Sequence, residues 1–191
     1  DDNVKISIGN EYLDYDHVVL ACHADQSLNI LEEPTVTERE ILNKFTYVSN
    51  RAFLHKDENL MPLRKKAWSS WNSITKDKKT CVTYWLNKLQ NLKTNKNYFL
   101  TLNPVEKIEE NKVIKQEKFT HPYYNNENMK LQKELHTLQG RKRTWFCGSY
   151  FGYGFHEDAL QSGLWVAEKL GKLKRPWSLP SKNDRLIVSN D

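Results

Sequence analysis

Long apolar runs are what this sequence most lacks. The longest, such as Val18 to Cys22, fall far short of the roughly 20 residues that cross a bilayer, and no secretory signal opens the chain. Cysteine is also scarce. Cys22, Cys81 and Cys147 are far apart and odd in number; they form neither a zinc spacing nor a disulfide framework, which suits a reducing, cytoplasmic compartment. No internal repeat and no low-complexity tract interrupts the chain. An initiator Met is missing too: the sequence starts Asp1-Asp2 and runs at once into a strand pattern, so a further segment is expected upstream.

What is present reads as globular. Apolar residues make up 38% and charged residues 28% of 191 positions, a balance with enough apolar surface for a core. Six Trp, nine Tyr and seven Phe can fill that core or wall a flat pocket for a planar ligand. Net charge is +5, with basic clusters at Arg64-Lys65-Lys66, Arg141-Lys142-Arg143 and Lys172 to Arg175. Such clusters can meet nucleic acid, an anionic membrane or a phosphate-bearing ligand; the 24 acidic residues mixed among them equally suit plain solvated surface.

Periodicity sets out the elements. Val4 to Ile8 alternates with period two, Gly9-Asn10 is a tight-turn pair, and Glu11 to Tyr15 returns as the second strand of a hairpin. Val18 to Cys22 is a continuous β-branched run, the pattern of a strand covered on both faces in an α/β sheet. Ala24 to Leu31 reads as a short helix stopped by Pro34, and Thr37-Glu38-Arg39-Glu40 as a capping box opening a second. Strands are expected at Arg51 to His55, Lys66 to Ser73, Thr80 to Leu86, Tyr98 to Leu102 and Val113 to Phe119, with no helix between them. That run predicts an antiparallel sheet inserted into the α/β part. Leu131, Leu135 and Leu138 mark a helix over Glu127 to Gln139 closed by Gly140. Thr144 to Cys147 then reads as a buried strand, Phe155 to Leu170 as a helix, and Arg175 to Asp191 as a surface tail.

Glycine placement is the sharpest signal. Of seven glycines, Gly148, Gly152, Gly154 and Gly163 fall within residues 148–163, where even spacing would put fewer than one. Strand, glycine-rich turn and helix N-terminus together present backbone N–H groups to an anion or an electron-rich ring edge. The spacing is neither GxGxxG nor a P-loop, and a tight structural corner would look the same.

The stretch Trp145-Phe146-Cys147-Gly148-Ser149-Tyr150-Phe151-Gly152-Tyr153-Gly154-Phe155-His156-Glu157-Asp158-Ala159-Leu160-Gln161-Ser162-Gly163 resembles the second FAD-binding motif of flavin amine-oxidase-like proteins. Closer still, it is similar to the bacterial group of predicted NAD/FAD-binding proteins. Asp16 to Gln26, Trp68 to Asn72 and Thr83 to Gln90 resemble that group as well, and the likeness runs to Arg175-Pro176-Trp177.

The resemblance implies an α/β fragment: part of an FAD-binding Rossmann-like domain (1–24 and 141–191) with an inserted substrate-binding lobe of mostly antiparallel sheet (25–140). The fingerprint-bearing N-terminal Rossmann segment is absent from these residues. It implies an FAD-dependent oxidoreductase moving hydride from a C–N or C–C bond to flavin N5, and an incomplete site in this piece alone. Gly148, Ser149, Gly152 and Gly154 would line the cofactor. The amides of Phe155, His156 and Glu157 would face the flavin N1–C2=O edge, Gly163 would allow close helix packing, and Val19 and Ala21 would lie beside the adenine-binding strands. Ser149 stands where many relatives carry an acid for a ribityl hydroxyl, which weakens that contact.

His156 can be read as a proton shuttle beside the flavin, or as an ordinary member of a polar first turn. His23 can contact a ligand or simply occupy a turn. Tyr150 and Tyr153, with Phe151, can wall a substrate cavity or pack a core; so can Trp71 and Trp85, with Trp68 and Tyr84, where a pocket would suit a hydrophobic, lipid-like or polyene substrate. Two other readings compete with the flavoenzyme: a non-enzymatic basic module for nucleic acid or anionic membrane, and a cofactor-free relative. The lack of any long basic stripe argues against nucleic acid, while peripheral membrane contact stays compatible with the basic clusters.

Overall fold

Gly9, at φ +62°, turns the chain between β1 (Val4–Ile8) and β2 (Glu11–Tyr15), which pair antiparallel with Val4 opposite Tyr15. The computed structural model describes residues 3–177 and gives a mixed α/β fold of two units, Asp1–Tyr47 with Pro122–Asp191, and Val48–His121. Residues 178–191 of the expected surface tail lie outside the described part.

In the first unit β3 (Val18–Leu20) runs parallel to a late strand, Thr144–Phe146, with Leu20 beside Phe146. Leu20 is buried but Val19 is 42% exposed, so the expectation of a strand covered on both faces holds for one face only. Helix α1 (Ala24–Ile30) follows, then α2 (Val36–Leu42). The sequence offers two overlapping capping boxes, and the earlier one forms. The Thr35 hydroxyl accepts from the Glu38 N–H at 3.2 Å while the Glu38 carboxylate accepts from the Thr35 N–H at 2.7 Å. Thr37 therefore lies inside the helix, which starts as soon as Pro34 is passed.

The second unit is a five-stranded sheet. Its members are β4 (Thr46–His55), β5 (Trp71–Lys76), β6 (Lys79–Trp85), β7 (Phe99–Leu102) and β8 (Val113–Tyr123), in the order β5-β6-β7-β4-β8. The β5–β6, β6–β7 and β7–β4 pairs are antiparallel. A strand expected from Lys66 starts only at Trp71, because Lys65–Ala67 closes a 3-10 turn. One helical turn, α3 (Leu86–Leu89), leaves β6.

Back in the first unit, the helix expected over 127–139 splits. Asn126–Leu131 is α-helical (α4) and Gln132–Leu138 tightens to 3-10 geometry, its Leu135 and Leu138 fully buried. Gly140 ends it at φ +72°, β9 (Thr144–Phe146) follows, and α5 (His156–Gly171) closes the unit. Leu20, Ala24, Ile41, Leu42, Phe45, Leu135, Leu138, Phe146, Tyr150 and Phe151 form its core.

Candidate functional site: the bend between β9 and α5

The parallel pair hands the chain to the bend. The Cys147 N–H donates to the Leu20 carbonyl at 3.1 Å, extending the β3–β9 ladder by one step. Gly148 follows at φ +155°, and a Cβ there would lie 2.8 Å from the Tyr150 ring and 3.1 Å from the Cys22 carbonyl. Its own N–H is spent: it donates to the Ser162 hydroxyl at 2.9 Å, an oxygen that also lies 3.1 Å from the Gly148 carbonyl and 2.9 Å from that of Ala159. Ser162 thus fastens the bend to α5.

Ser149–Phe151 makes a short 3-10 turn that turns two rings inward. Tyr150 is 1% exposed, 5.4 Å from the Phe45 ring between centroids, and burial pushes its phenol well above the ordinary range. This ring packs the core of its own unit rather than walling an open cavity. Gln132, itself buried, reaches in from beyond α4 and donates to the carbonyls of Tyr150 (3.0 Å) and Gly152.

Asp158 organises the second half. Fully buried, its carboxylate accepts the N–H groups of Tyr153 (3.0 Å) and Phe155 (2.8 Å). A Cβ on Gly152 would come within 2.6 Å of the Asp158 side chain, so glycine is required there. Gly154, at φ +90°, passes the Tyr124 hydroxyl, which donates to the Ser149 carbonyl at 3.2 Å. Burial, then the charge of Asp158, pushes that phenol up to about 12, so it stays a donor throughout the neutral range.

The outcome is selective. The N–H groups of Gly148, Phe151, Gly152, Tyr153, Gly154, Phe155, Asp158 and Ala159 all meet acceptors. Those of Ser149 and Tyr150 in the turn, and of His156 and Glu157, the first two residues of the 16-residue α5, meet none among the described residues; only the last two stand at a helix N-terminus. Two open donors at the positive end of a four-turn helix favour an electron-rich group in front of them. Exposed Tyr153 and Phe155 flank the spot, and the His156 side chain is exposed as well. Glu157 is held from behind: Gln161 donates to its carboxylate at 2.6 Å, Arg175 donates to the Gln161 oxygen at 3.0 Å, and Arg175 grips Glu168 through two nitrogens at 2.7 and 3.0 Å.

Other expected site residues fall elsewhere. Val19 and Ala21 lie exposed on and just after β3, and the Ser149 hydroxyl joins none of the bend's hydrogen bonds among the described residues. His23 stacks on Tyr47 at 4.2 Å and caps α1 as a turn histidine. Gly163 has nothing within 4 Å of an added Cβ, so no described residue packs closely on it. Trp71 and Trp85 do not share a pocket on the sheet. Trp71 sits opposite Tyr84 and Trp85 opposite Phe99, and adjacent residues 84 and 85 point to opposite faces. Trp85 packs on buried Trp68, while Trp71 is 65% exposed.

Asp158, Ser162, Gln132 and Tyr124 hold the bend and are absent from the expected site set. An Asp three residues after a helix start is a readable capping signal. Gln132 and Tyr124 act across tertiary distance and leave no sequence trace.

No family model and no curated protein matches the chain. Among the solved structures that share its fold are two crystal structures. A CLA-producing fatty acid isomerase from P. acnes aligns at TM-score 0.58 and 13% identity, over 91% of this chain and 45% of that one. A candidate protoporphyrinogen oxidase from Exiguobacterium sp. 255-15 aligns at TM-score 0.51 and 11% identity, over 89% and 44%. The chain therefore spans less than half the length of either.

Proposed function

We propose that this chain is the C-terminal part of an FAD-dependent oxidoreductase of the flavin amine-oxidase type. In this reading residues 1–24 and 141–191 complete an FAD-binding domain begun upstream, and 25–140 form the substrate-binding lobe. The observation that carries it is the pair of open amides at His156 and Glu157, at the positive end of α5, with the adjoining Tyr153, Gly154 and Phe155 donors consumed. An anion-seeking edge at the end of a parallel strand pair is the local chemistry a flavin pyrimidine carbonyl requires. The names of the two fold neighbours, an isomerase of fatty acids and a candidate porphyrinogen oxidase, agree with an apolar substrate.

The residues present fit the group in part. His156 and Glu157 would hold the ring edge through backbone, Tyr153 and Phe155 would flank it, and Ser149 replaces a stronger ribityl ligand. FAD bound there would supply the hydride acceptor for a C–N or C–C bond. The chain's own contribution is position: Asp158 and Ser162 fix the bend, Gln161 and Arg175 hold the Glu157 carboxylate, and the exposed His156 imidazole is available to move a proton.

The test deletes a donor without unfolding the helix. His156 is the first helical residue, where proline is well tolerated, and Phe155 before it has the extended φ/ψ (−92°, 163°) that a following proline demands. In the chain extended upstream, His156→Pro should cost about tenfold in FAD affinity with an unchanged melting curve. His156→Ala keeps the N–H and should keep the affinity. Equal binding by both variants would remove the amides from the site. A flavin-free wild type would favour the cofactor-free reading, in which the bend serves only its own packing.

A further inference from the structure

One end of the second unit's sheet carries a charge and polarity pattern that the flavin reading leaves unused. The loops 56–70 and 86–98 leave and enter the sheet there, bracketed by His55, Trp71, Trp85 and Phe99. They are tied together. The Asn97 amide donates to Glu58 at 2.8 Å, the Trp85 indole to Asn97 at 3.1 Å, and the Trp68 and Trp85 rings meet edge to face at 5.3 Å.

Across these two loops stand seven Lys and Arg against two acids. Both acids are occupied: Asp57 is buried, and Glu58 pairs with Lys65 at 3.0 Å. Arg64, Lys66, Lys88, Lys93 and Lys96 have no ion-pair partner among the described residues. The adjoining segment 107–112 is neutral, its lysines closed on Glu109 and Glu110.

Apolar groups are exposed at the same end of the sheet. Leu63 is fully exposed at a loop tip, Leu89 is 44% exposed, and Trp71 stands at the start of the edge strand. The tip is rigidly mounted, since Met61 and Trp68 on either side are buried and the Trp68 indole donates to the Pro62 carbonyl at 2.7 Å. A leucine held outward between a proline and three basic residues, with an exposed tryptophan at the same end of the sheet, matches the headgroup region of an anionic bilayer. There cations meet phosphate, tryptophan rests at the interface, and a leucine side chain enters the acyl boundary. Nucleic acid would use the cations but gain nothing from Leu63.

We propose that this end of the sheet docks peripherally on an anionic lipid surface. The inference does not rest on the cofactor, because it draws on no residue of the β9–α5 bend. Co-sedimentation of the whole chain with vesicles tests it. Binding to phosphatidylserine–phosphatidylcholine vesicles is expected and should collapse on pure phosphatidylcholine and in high salt. The double variant Arg64→Ala, Lys66→Ala should lose about thirtyfold in partitioning and Leu63→Asp about tenfold, each with an unchanged circular dichroism spectrum because all three side chains are exposed. Arg141→Ala with Lys142→Ala, in the other unit, should change binding by no more than about twofold. The proposal fails if wild type ignores anionic vesicles, if the Leu63 variant binds as well as wild type, or if the Arg141 pair matters as much as the Arg64 pair. It fails equally if single-stranded RNA is bound and vesicles are not.

Discussion

The bend at β9–α5 and the centre of the five-stranded sheet both bury polar groups, and they treat them oppositely. In the sheet, His55 is fully enclosed and both ring nitrogens are matched. Nδ1 accepts the Asp57 N–H at 3.1 Å, so Nε2 carries the proton and donates to Thr101 at 2.7 Å; Thr101 in turn meets Thr83 at 2.8 Å. Nothing is left to offer a ligand. In the bend, Asp158, Ser162 and Gln132 hold the backbone, yet the amides at the start of α5 stay open and the buried Gln132 oxygen and Tyr150 hydroxyl meet no partner among the described residues. A closed polar network specifies a fold, whereas one that leaves polar groups open keeps chemistry to offer.

The largest break comes at the bend's tightest point. Gly152→Val puts a branched side chain where a single Cβ already lies 2.6 Å from Asp158, and displacing that carboxylate strands the Tyr153 and Phe155 amides. A loss of about 3 kcal/mol is expected, read as a lower urea midpoint at constant slope. A midpoint like that of wild type would mean that the bend is loosely packed and that its open amides are accidental.

Acid separates the two regions next. Burial lowers the His55 pKa from its ordinary 6.5, against the opposing pull of Asp57. The unfolded chain therefore takes up a proton near 6.5 that the folded sheet resists, so stability is full above that pH and declines as pH falls below it. Asp57 gives a second window. Its burial favours the neutral acid, but the Glu109 and Asn59 amides and Lys112 outweigh that and hold it below 3.8, so its contribution is present above that value and lost as pH falls through the lower folded one. His55→Leu should cost about 2 kcal/mol at neutral pH, by stranding the Thr101 hydroxyl and the Asp57 N–H. It should also erase the first decline while leaving the second. Urea titrations at several pH values check both, and a first decline that survives in the variant would mean another group causes it.

Much of this contrast was readable before any coordinates. Strand-like segments between polar turns marked all five strands of the sheet, although β4 begins five residues earlier than expected and β5 five later, and the glycine crowding singled out the bend. Which side chains hold the bend was not readable, because Gln132 and Tyr124 arrive from 18 to 25 positions away, from either side of α4, with no local pattern to betray them. The tryptophans failed for a different reason. Whether Trp71 and Trp85 share a face depends on the exact turn between them, and Asp77-Lys78 makes a two-residue turn with both φ values positive (49° and 62°) without the glycine that usually announces it. Register follows from that turn, and register decides the face.

The smallest test asks why Gly154 is glycine. Two causes coincide there: the Tyr124 hydroxyl would lie 2.8 Å from a Cβ, and φ is +90°. Tyr124→Phe removes one hydrogen bond, to the Ser149 carbonyl, at about 1 kcal/mol. It also removes the nearest obstructing atom, though the ring carbon at 2.9 Å remains. If space were the dominant cause, Gly154→Ala would cost less in the Tyr124→Ala background than in wild type, a coupling that a double-mutant cycle resolves. If backbone strain dominates, alanine costs roughly 1–3 kcal/mol in both backgrounds and the cycle closes with no coupling. The second result is expected, since φ is held by the Gly154 N–H bond to the Ser149 carbonyl at 3.2 Å and by Asp158 on the next amide, and both bonds are independent of the Tyr124 ring.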